Sequence, residues 1–385
     1  MIKNEYSKMK IYGFLFTLGL NFLVMTRQHL YYIRRTHLNV EFNMHLLVIE
    51  SARYESFSKK SFMNYVQLTI LVLEFFQLIA YPIREILDFY SNIDAYAKTL
   101  PESLRVNAKS GFSDSPLFSW FNNLYSEFVS SVTSQFYKSQ IWTFSAIVLL
   151  LLTWFILLLT FFKSNSKYRV FVYFVPIINM IYLPVLFLFL SSLNCLSATE
   201  TSLTQPTFFK CAGLNRPFYF LLSLIMYTVS YILFTLIIST FDNLPIKGEI
   251  RFKSNSVSLI KNLCLMISIS FVYISDSLSH FKNLITFSLI LAILCYNLRT
   301  APSYVAPINH FRSLSFSCIL WTCLIVITIS NERIPSESTS NYNPSAALFF
   351  LNDFKLQHVF VLLFAGFLFL SAMIYTFHKI KAKIL

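Results

Sequence analysis

The sequence predicts an all-α, polytopic membrane helical bundle with eight or nine transmembrane helices, and three apolar runs carry most of this prediction. They are Ile141–Phe162, Val170–Leu193 and Phe218–Phe241, and none of them contains a charged residue. Each run exceeds the roughly 20 residues that an α-helix needs to cross a hydrocarbon core of about 30 Å. Soluble domains rarely hold three such runs so close together, so the class is an integral membrane protein with the lipid bilayer as its partner.

The composition agrees with this class. Hydrophobic residues make up 56% of the 385 residues and charged residues only 13%, about half the charged share of soluble domains. The formal net charge is +13. Because the basic residues sit between apolar runs and not in one patch, we interpret them as loop charges that orient the helices, and we expect no nucleic-acid partner.

Six further candidate spans complete the bundle, and the first of them decides whether the count is eight or nine. Ile11–Met25 is short, so it either crosses the membrane or lies in the interface. A proline follows the second candidate and is expected to end its helix, since proline lacks a backbone N–H. The six candidates are Ile11–Met25, Phe62–Tyr81, Val257–Ser275, Leu284–Leu298, Leu314–Ser330 and Val359–Phe377.

Three regions organise the chain. Residues 1–61 form the short first span or interfacial helix plus a surface segment, residues 62–377 form the transmembrane bundle, and residues 378–385 form a basic tail. A long polar connection at 82–140 interrupts the bundle and is expected to form a lid or an interfacial helix. No internal repeat is evident, which disfavours an inverted-repeat transporter.

Lysine and arginine in the connections predict the orientation. One set of loops, with the C-terminal tail, holds twelve of these residues, and the loops of the opposite side hold five. Short basic loops stay in the cytoplasm or matrix. We therefore expect the C-terminus on that side, in the plasma membrane or an endomembrane, with the mitochondrial inner membrane as the alternative.

Two of the six cysteines share the loop that the charge rule places on the opposite side. A disulfide between Cys195 and Cys211 would close a loop of about 16 residues and stabilise the fold by roughly 3 kcal/mol. No histidine or acidic cluster stands beside them, so a metal site is disfavoured. We predict the disulfide.

Glu74 is the acidic residue that falls deep within a predicted span. A charge at that depth is expensive, so it marks either ion or proton handling or a structural hydrogen bond. Gln77 lies three residues further on and shares its helix face. Asn179, in the kinked Val170–Leu193 run, is a candidate polar partner.

No sequence motif supplies a catalytic nucleophile, a metal site or a nucleotide loop. We therefore expect no enzymatic activity, no cofactor and no bound metal. His310 and Arg312, in the segment Asn309–Arg312, are candidates for contact with a lipid phosphate headgroup at the membrane edge.

Several short stretches occur in an order typical of one family. They are Leu73–Tyr81 (LEFFQLIAY), Leu183-Pro184, Asn194-Cys195, Cys211, Phe241–Pro245 (FDNLP), Arg251, Pro302–Arg312 (PSYVAPINHFR) and Trp321. From Phe62 to about Phe377, the chain resembles the multi-pass membrane region of very large ciliate proteins, related to fungal and oomycete ones, that carry PAS sensor domains after their last helices.

The resemblance implies a sensory or signalling membrane protein with a cytoplasmic C-terminus. No PAS domain follows the last span up to Leu385. We therefore expect a stand-alone membrane module or a fragment, and a signal output through PAS does not carry over.

Three functions remain open at this point. The first is a sensory, receptor-like or channel-like protein, favoured by Glu74 and the resemblance. The second is a non-catalytic accessory subunit of a homo-oligomer or larger membrane complex, favoured by the aromatic-rich, glycine-poor composition. The third is a secondary transporter, which the missing repeat disfavours.

Overall fold

The computed structural model describes residues 12–27, 56–58, 61–99, 134–161, 175–193, 216–240, 248–274, 278–331 and 356–384. This part of the chain is helical apart from short connections, in agreement with the predicted all-α class. The helices in chain order are α1 (12–27), α2 (Phe62–Thr99), α3 (Ser134–Phe161), α4 (Val175–Leu193), α5 (Arg216–Thr240), α6 (Ser254–Tyr273), α7 (Ser279–Thr300), α8 (Ala306–Asn331) and α9 (Leu356–Ile384).

Six of the described helices are long and apolar enough to cross a membrane: α2, α5, α6, α7, α8 and α9. Shorter apolar stretches lie in α3 and α4, at Ile141–Trp154 and Met180–Leu193. The multi-pass helical class is thus supported, while the count of eight or nine spans stays a prediction. The predicted hairpin loop between α3 and α4 lies outside the described residues.

The helix end expected at Pro82 is wrong. Helix α2 continues through Pro82 to Thr99. The extra turns bury Ile86 and Tyr90 in a cluster with Ile325 and Val359, and this apolar packing offsets the hydrogen bond that proline removes. The first part of the segment 82–140 is therefore helix that packs against α8 and α9.

Helix α6 lies at the centre of the bundle. In its apolar stretch Ser256–Tyr273, 83% of the residues are buried. It packs against α4, α5 and α7, and the largest apolar cluster fills the space between them with fully buried rings such as Tyr182, Phe189 and Phe234.

Backbone and amide hydrogen bonds fix one end of the bundle. The Asn64 side chain donates to the Gly248 carbonyl and accepts from the Ile250 N–H, both at 2.8 Å. Gly248 has a φ of 87°, which glycine adopts without strain. The first turn of α2 and the residues just before α6 thus meet at one end, so the two helices run parallel.

Helices α1 and α9 lie at the edges of the described bundle. On α1, Asn21 donates a 2.9 Å hydrogen bond to the Tyr227 hydroxyl of α5. Whether α1 crosses the membrane stays a prediction. Helix α9 packs against α8, where the Trp321 indole N–H donates to the Leu362 carbonyl at 3.3 Å.

Candidate functional site

A row of polar side chains follows one face of α2 through the interior of the bundle. Its members on α2 are Glu74, Tyr81 and Glu85. At 100° per residue, spacings of seven and four place the three within about 40° of one another around the helix. We call Glu74, Tyr81, Glu85 and their partners on α6 and α7 the polar row.

Glu74 lies between two cations at the first position of this row. The Lys261 Nζ is 3.2 Å from its Oε1, and the Arg312 Nη2 is 3.5 Å from its Oε2. The three side chains come from α2, α6 and α8 and are 4% to 7% exposed. Water is almost excluded there, so the charges interact more strongly than at a surface. We call these three residues the charge triad.

Aromatic rings hold the Arg312 guanidinium in place. Its Cζ lies 5.3 Å from the centre of the Phe252 ring and 5.7 Å from that of Phe316. Cation–π contacts of this kind gain strength when the cation is desolvated. The rings cover guanidinium surface, so the polar contacts of Arg312 are confined to its edges.

The charge triad is incompletely hydrogen-bonded by the described residues. Glu74 Oε1 and Arg312 Nε are both buried, and neither has a hydrogen-bond partner there. The Lys261 ammonium lies 3.2 Å from Oε1, and a carboxylate oxygen can accept a further hydrogen bond beside such an ion pair. Buried polar atoms of this kind are uncommon because leaving them unpaired is costly.

The second position of the row is uncharged. The Tyr81 hydroxyl of α2 is 2.8 Å from the Ser268 Oγ of α6. Ser268 lies 187 residues after Tyr81, and Lys261 lies 187 residues after Glu74. The two parallel helices therefore keep one register across both pairs, about 10 Å apart along the axes.

The third position of the row is a second buried ion pair. The Lys282 Nζ of α7 lies 2.5 Å from Glu85 Oε1, and 5.0 Å from the centre of the Phe271 ring. Lys282 is 2% exposed. Over the eleven residues from Glu74 to Glu85, the row extends roughly 16 Å along α2, about half of the hydrocarbon thickness.

A hydrogen-bonded cluster adjoins the charge triad in sequence. Asn262 follows Lys261 on α6, and its Oδ1 accepts hydrogen bonds from the Tyr231 and Tyr182 hydroxyls at 3.1 and 3.4 Å. These side chains are buried. The interior around α6 therefore contains polar side chains at several positions along the helix, although the neighbouring helices are largely apolar.

In the structure Glu74 is buried, and its ion-pair partners are Lys261 and Arg312. Gln77, predicted beside it, is half-buried on the same helix. Asn179 lies on α4, but its side chain is outside the described set, as are Cys195 and Cys211. The disulfide and the part played by Asn179 stay predictions.

Arg312, which the sequence indicates as a candidate for headgroup contact, is buried in the described bundle. Its side chain is 4% exposed and pairs with Glu74, while His310, two residues earlier, is partly exposed. A headgroup contact by either residue stays a prediction.

Sequence reasoning missed three cations of this interior. Lys261, Arg312 and Lys282 are buried ion-pair partners, yet they were counted as loop charges. Glu85 was missed because the helix was expected to end at Pro82. The signal that was available is the spacing of Glu74, Tyr81 and Glu85 along one helix face.

The described residues hold no group of three or more histidine, cysteine, aspartate or glutamate side chains that could bind a metal ion. No protein-family model matches the chain, and no curated protein or solved structure is significantly similar to it.

Proposed function

We propose that the protein is a channel-like, multi-pass membrane protein that moves protons along the polar row. The observation that carries the proposal is the succession Glu74–Lys261, Tyr81–Ser268 and Glu85–Lys282 on one face of α2. Buried ionisable side chains in membrane helices are expensive, and chains of them are typical of proton and ion pathways.

The contacts within the row favour protons over larger ions. The paired atoms lie 3.2, 2.8 and 2.5 Å apart. A proton passes between groups at such distances, whereas a hydrated metal ion would have to separate them. Carboxylate, amine, phenol and hydroxyl groups all accept or release protons. The positions are about 10 Å or less apart along the helix, so water must carry the proton between them.

The test is proton flux into liposomes that contain the purified protein and a pH-sensitive dye, driven by a potassium diffusion potential. We expect Glu74→Gln to lower the flux at least about tenfold, since it removes a group that exchanges protons. The matched control is Glu249→Gln, because Glu249 pairs with Arg251 at 2.7 Å outside the polar row, and its side chain is 38% exposed. That variant should keep the wild-type flux.

A wild-type protein without flux above that of empty liposomes would contradict the proposal. Equal flux in Glu74→Gln and wild type would also contradict it. A loss in both variants would point to the reconstitution and would be resolved by measuring the amount of folded protein by size-exclusion chromatography.

A second candidate is an accessory subunit of a larger membrane complex, and the exposure of α9 favours it. Only 17% of the residues in His358–Phe377 are buried, and its exposed side chains include Val361, Phe364 and Phe369. A partner helix could cover this face as well as lipid does. Purification from native membranes in a mild detergent tests this, with a larger assembly supporting the subunit.

The sensory role that the resemblance implies stays a prediction. The orientation is likewise a proposal: with the buried Lys261, Arg312 and Lys282 left out of the charge tally, ten basic residues face four. The bias keeps its direction. It places the C-terminus in the cytoplasm or matrix, and cysteine labelling from each side of the membrane tests it.

A further inference from the structure

We propose that the charge triad binds one internal water molecule, which bridges Arg312 Nε and Glu74 Oε1. The site itself rests on hydrogen-bond geometry. The part that the water would play in proton transfer rests on the proposed function.

Two atoms of the triad that can each form a further hydrogen bond are complementary. Arg312 Nε is a donor, and Glu74 Oε1 is an acceptor. Both belong to one contacting pair, joined by the 3.5 Å contact between Arg312 Nη2 and Glu74 Oε2. A small group that bridges the two atoms beside that contact has to accept one hydrogen bond and donate another.

The chemistry of this pair selects the ligand. A halide accepts a hydrogen bond from Nε–H but has nothing to donate to the carboxylate oxygen. An alkali cation binds the oxygen but is repelled by the guanidinium. Water accepts from Nε–H and donates to Oε1, so it satisfies both. Buried waters typically make about three hydrogen bonds to polar groups that would otherwise be unpaired.

The surroundings identify this as an internal water and not bulk solvent. Arg312 and Glu74 are 4% and 7% exposed, and the rings of Phe252 and Phe316 lie against the guanidinium. Phe316 is the buried side chain beside this site, since its ring centre lies 5.7 Å from the guanidinium carbon. Phe189, in the aromatic core around α4, is fully buried and serves as the internal reference.

X-ray radiolytic footprinting of the full chain in lipid nanodiscs tests the site. Hydroxyl radicals form from bound water and oxidise the side chains beside it, and mass spectrometry measures the rate at each residue. We expect Phe316 to be oxidised several-fold faster than Phe189. In Arg312→Leu, which removes the donor, the Phe316 rate should fall to that of Phe189. Arg299→Leu, an exposed arginine on α7, is the matched control and should keep the wild-type rates.

Equal oxidation of Phe316 and Phe189 in the wild type would overturn the proposal, and this comparison needs no variant to fold. Unchanged oxidation of Phe316 in a folded Arg312→Leu variant would overturn it as well, because the water would then lie elsewhere. Rapid oxidation of Phe316 in a protein without proton flux would support the water site and contradict the proposed function. Proton flux without rapid oxidation of Phe316 would support the proposed function and contradict the water site.

Discussion

The apolar stretches of helices α6 and α9 have similar lengths, 18 and 20 residues, and opposite environments. In α6, 83% of the apolar stretch is buried, compared with 17% in α9. Buried α6 carries Lys261, Asn262 and Ser268, whereas the exposed face of α9 is made of side chains such as Val361, Phe364 and Leu368. The polar residues thus lie on the buried helix and the apolar ones on the exposed helix.

Soluble proteins show the opposite arrangement, and the difference arises because the solvent around this bundle is lipid. Lipid tails offer no hydrogen bonds, so a polar side chain on the exposed face of α9 would find no partner in the lipid. On α6 the same side chain finds partners on neighbouring helices. The interior of this bundle is therefore held together by specific polar pairs, while its perimeter needs only to be apolar. The predictions below test this difference between α6 and α9.

The largest expected effect comes from removing the carboxylate of the charge triad. Glu74→Leu would leave Lys261 and Arg312 buried beside an apolar side chain. Breaking a buried ion pair in this way costs about 3–5 kcal/mol of unfolding free energy. Thermal and denaturant unfolding in detergent micelles, followed by circular dichroism, would measure it.

The matched control is Glu249→Leu, which breaks the surface pair with Arg251 and should cost no more than about 1 kcal/mol. The double variant Glu74→Leu/Arg312→Leu should cost less than the sum of the single changes, since each single change leaves a partner unpaired. Strict additivity would show that the two charges do not interact.

The sequence predicted the class of the fold because class depends on long apolar runs, which are local. It also found Glu74, since one carboxylate in such a run is conspicuous. It could not find the partners. Lys261 lies near the start of its predicted span and Lys282 just before the next one, so both resemble ordinary flanking charges. Only the packing of α2 against its neighbours shows them to be buried. Glu85 follows Pro82, where the local preference of proline predicts the end of the helix, but tertiary packing overrides that preference.

The next largest effect concerns the contact between α8 and α9. A Cβ added at Gly366 would overlap the indole ring of Trp321. Gly366→Ala should therefore separate the two helices and weaken the indole hydrogen bond to Leu362, at a cost of about 1–3 kcal/mol from overpacking. Unfolding monitored by tryptophan fluorescence would detect both changes.

Gly19→Ala on α1 is the control for this glycine, because nothing lies within 4 Å of the added Cβ. It should be neutral or stabilising by up to about 1 kcal/mol, as alanine favours helix. A Gly366→Ala variant that is equally neutral would mean that Trp321 moves aside without loss.

A smaller effect is expected at the uncharged position of the polar row. Tyr81→Phe removes the 2.8 Å hydrogen bond to Ser268 and should cost about 1 kcal/mol. Ser268 keeps a partner, the Cys264 carbonyl at 3.3 Å. Tyr65→Phe on the exposed side of α2 is the control and should be silent. Equal unfolding free energies for the two variants would show that the Tyr81 hydroxyl forms no stabilising hydrogen bond in the polar row.

The smallest effect should come from the perimeter. Leu368 on α9 is 59% exposed, whereas Leu265 on α6 is fully buried. Leu265→Ala should cost about 2–5 kcal/mol through the cavity it leaves, and Leu368→Ala no more than about 0.5 kcal/mol, since lipid fills the space. Both are measured by the same unfolding assay on the purified chain.

The same Leu368→Ala substitution separates the two candidate functions when it is made in native membranes. If lipid alone covers α9, the variant should migrate on native gels as the wild type does. If a partner subunit covers it, the loss of a buried leucine from that interface should shift the protein towards a smaller assembly. A silent change in the purified chain, together with a loss of assembly in the membrane, would therefore identify α9 as a subunit interface. Proton flux through the polar row would then have to be measured in that complex.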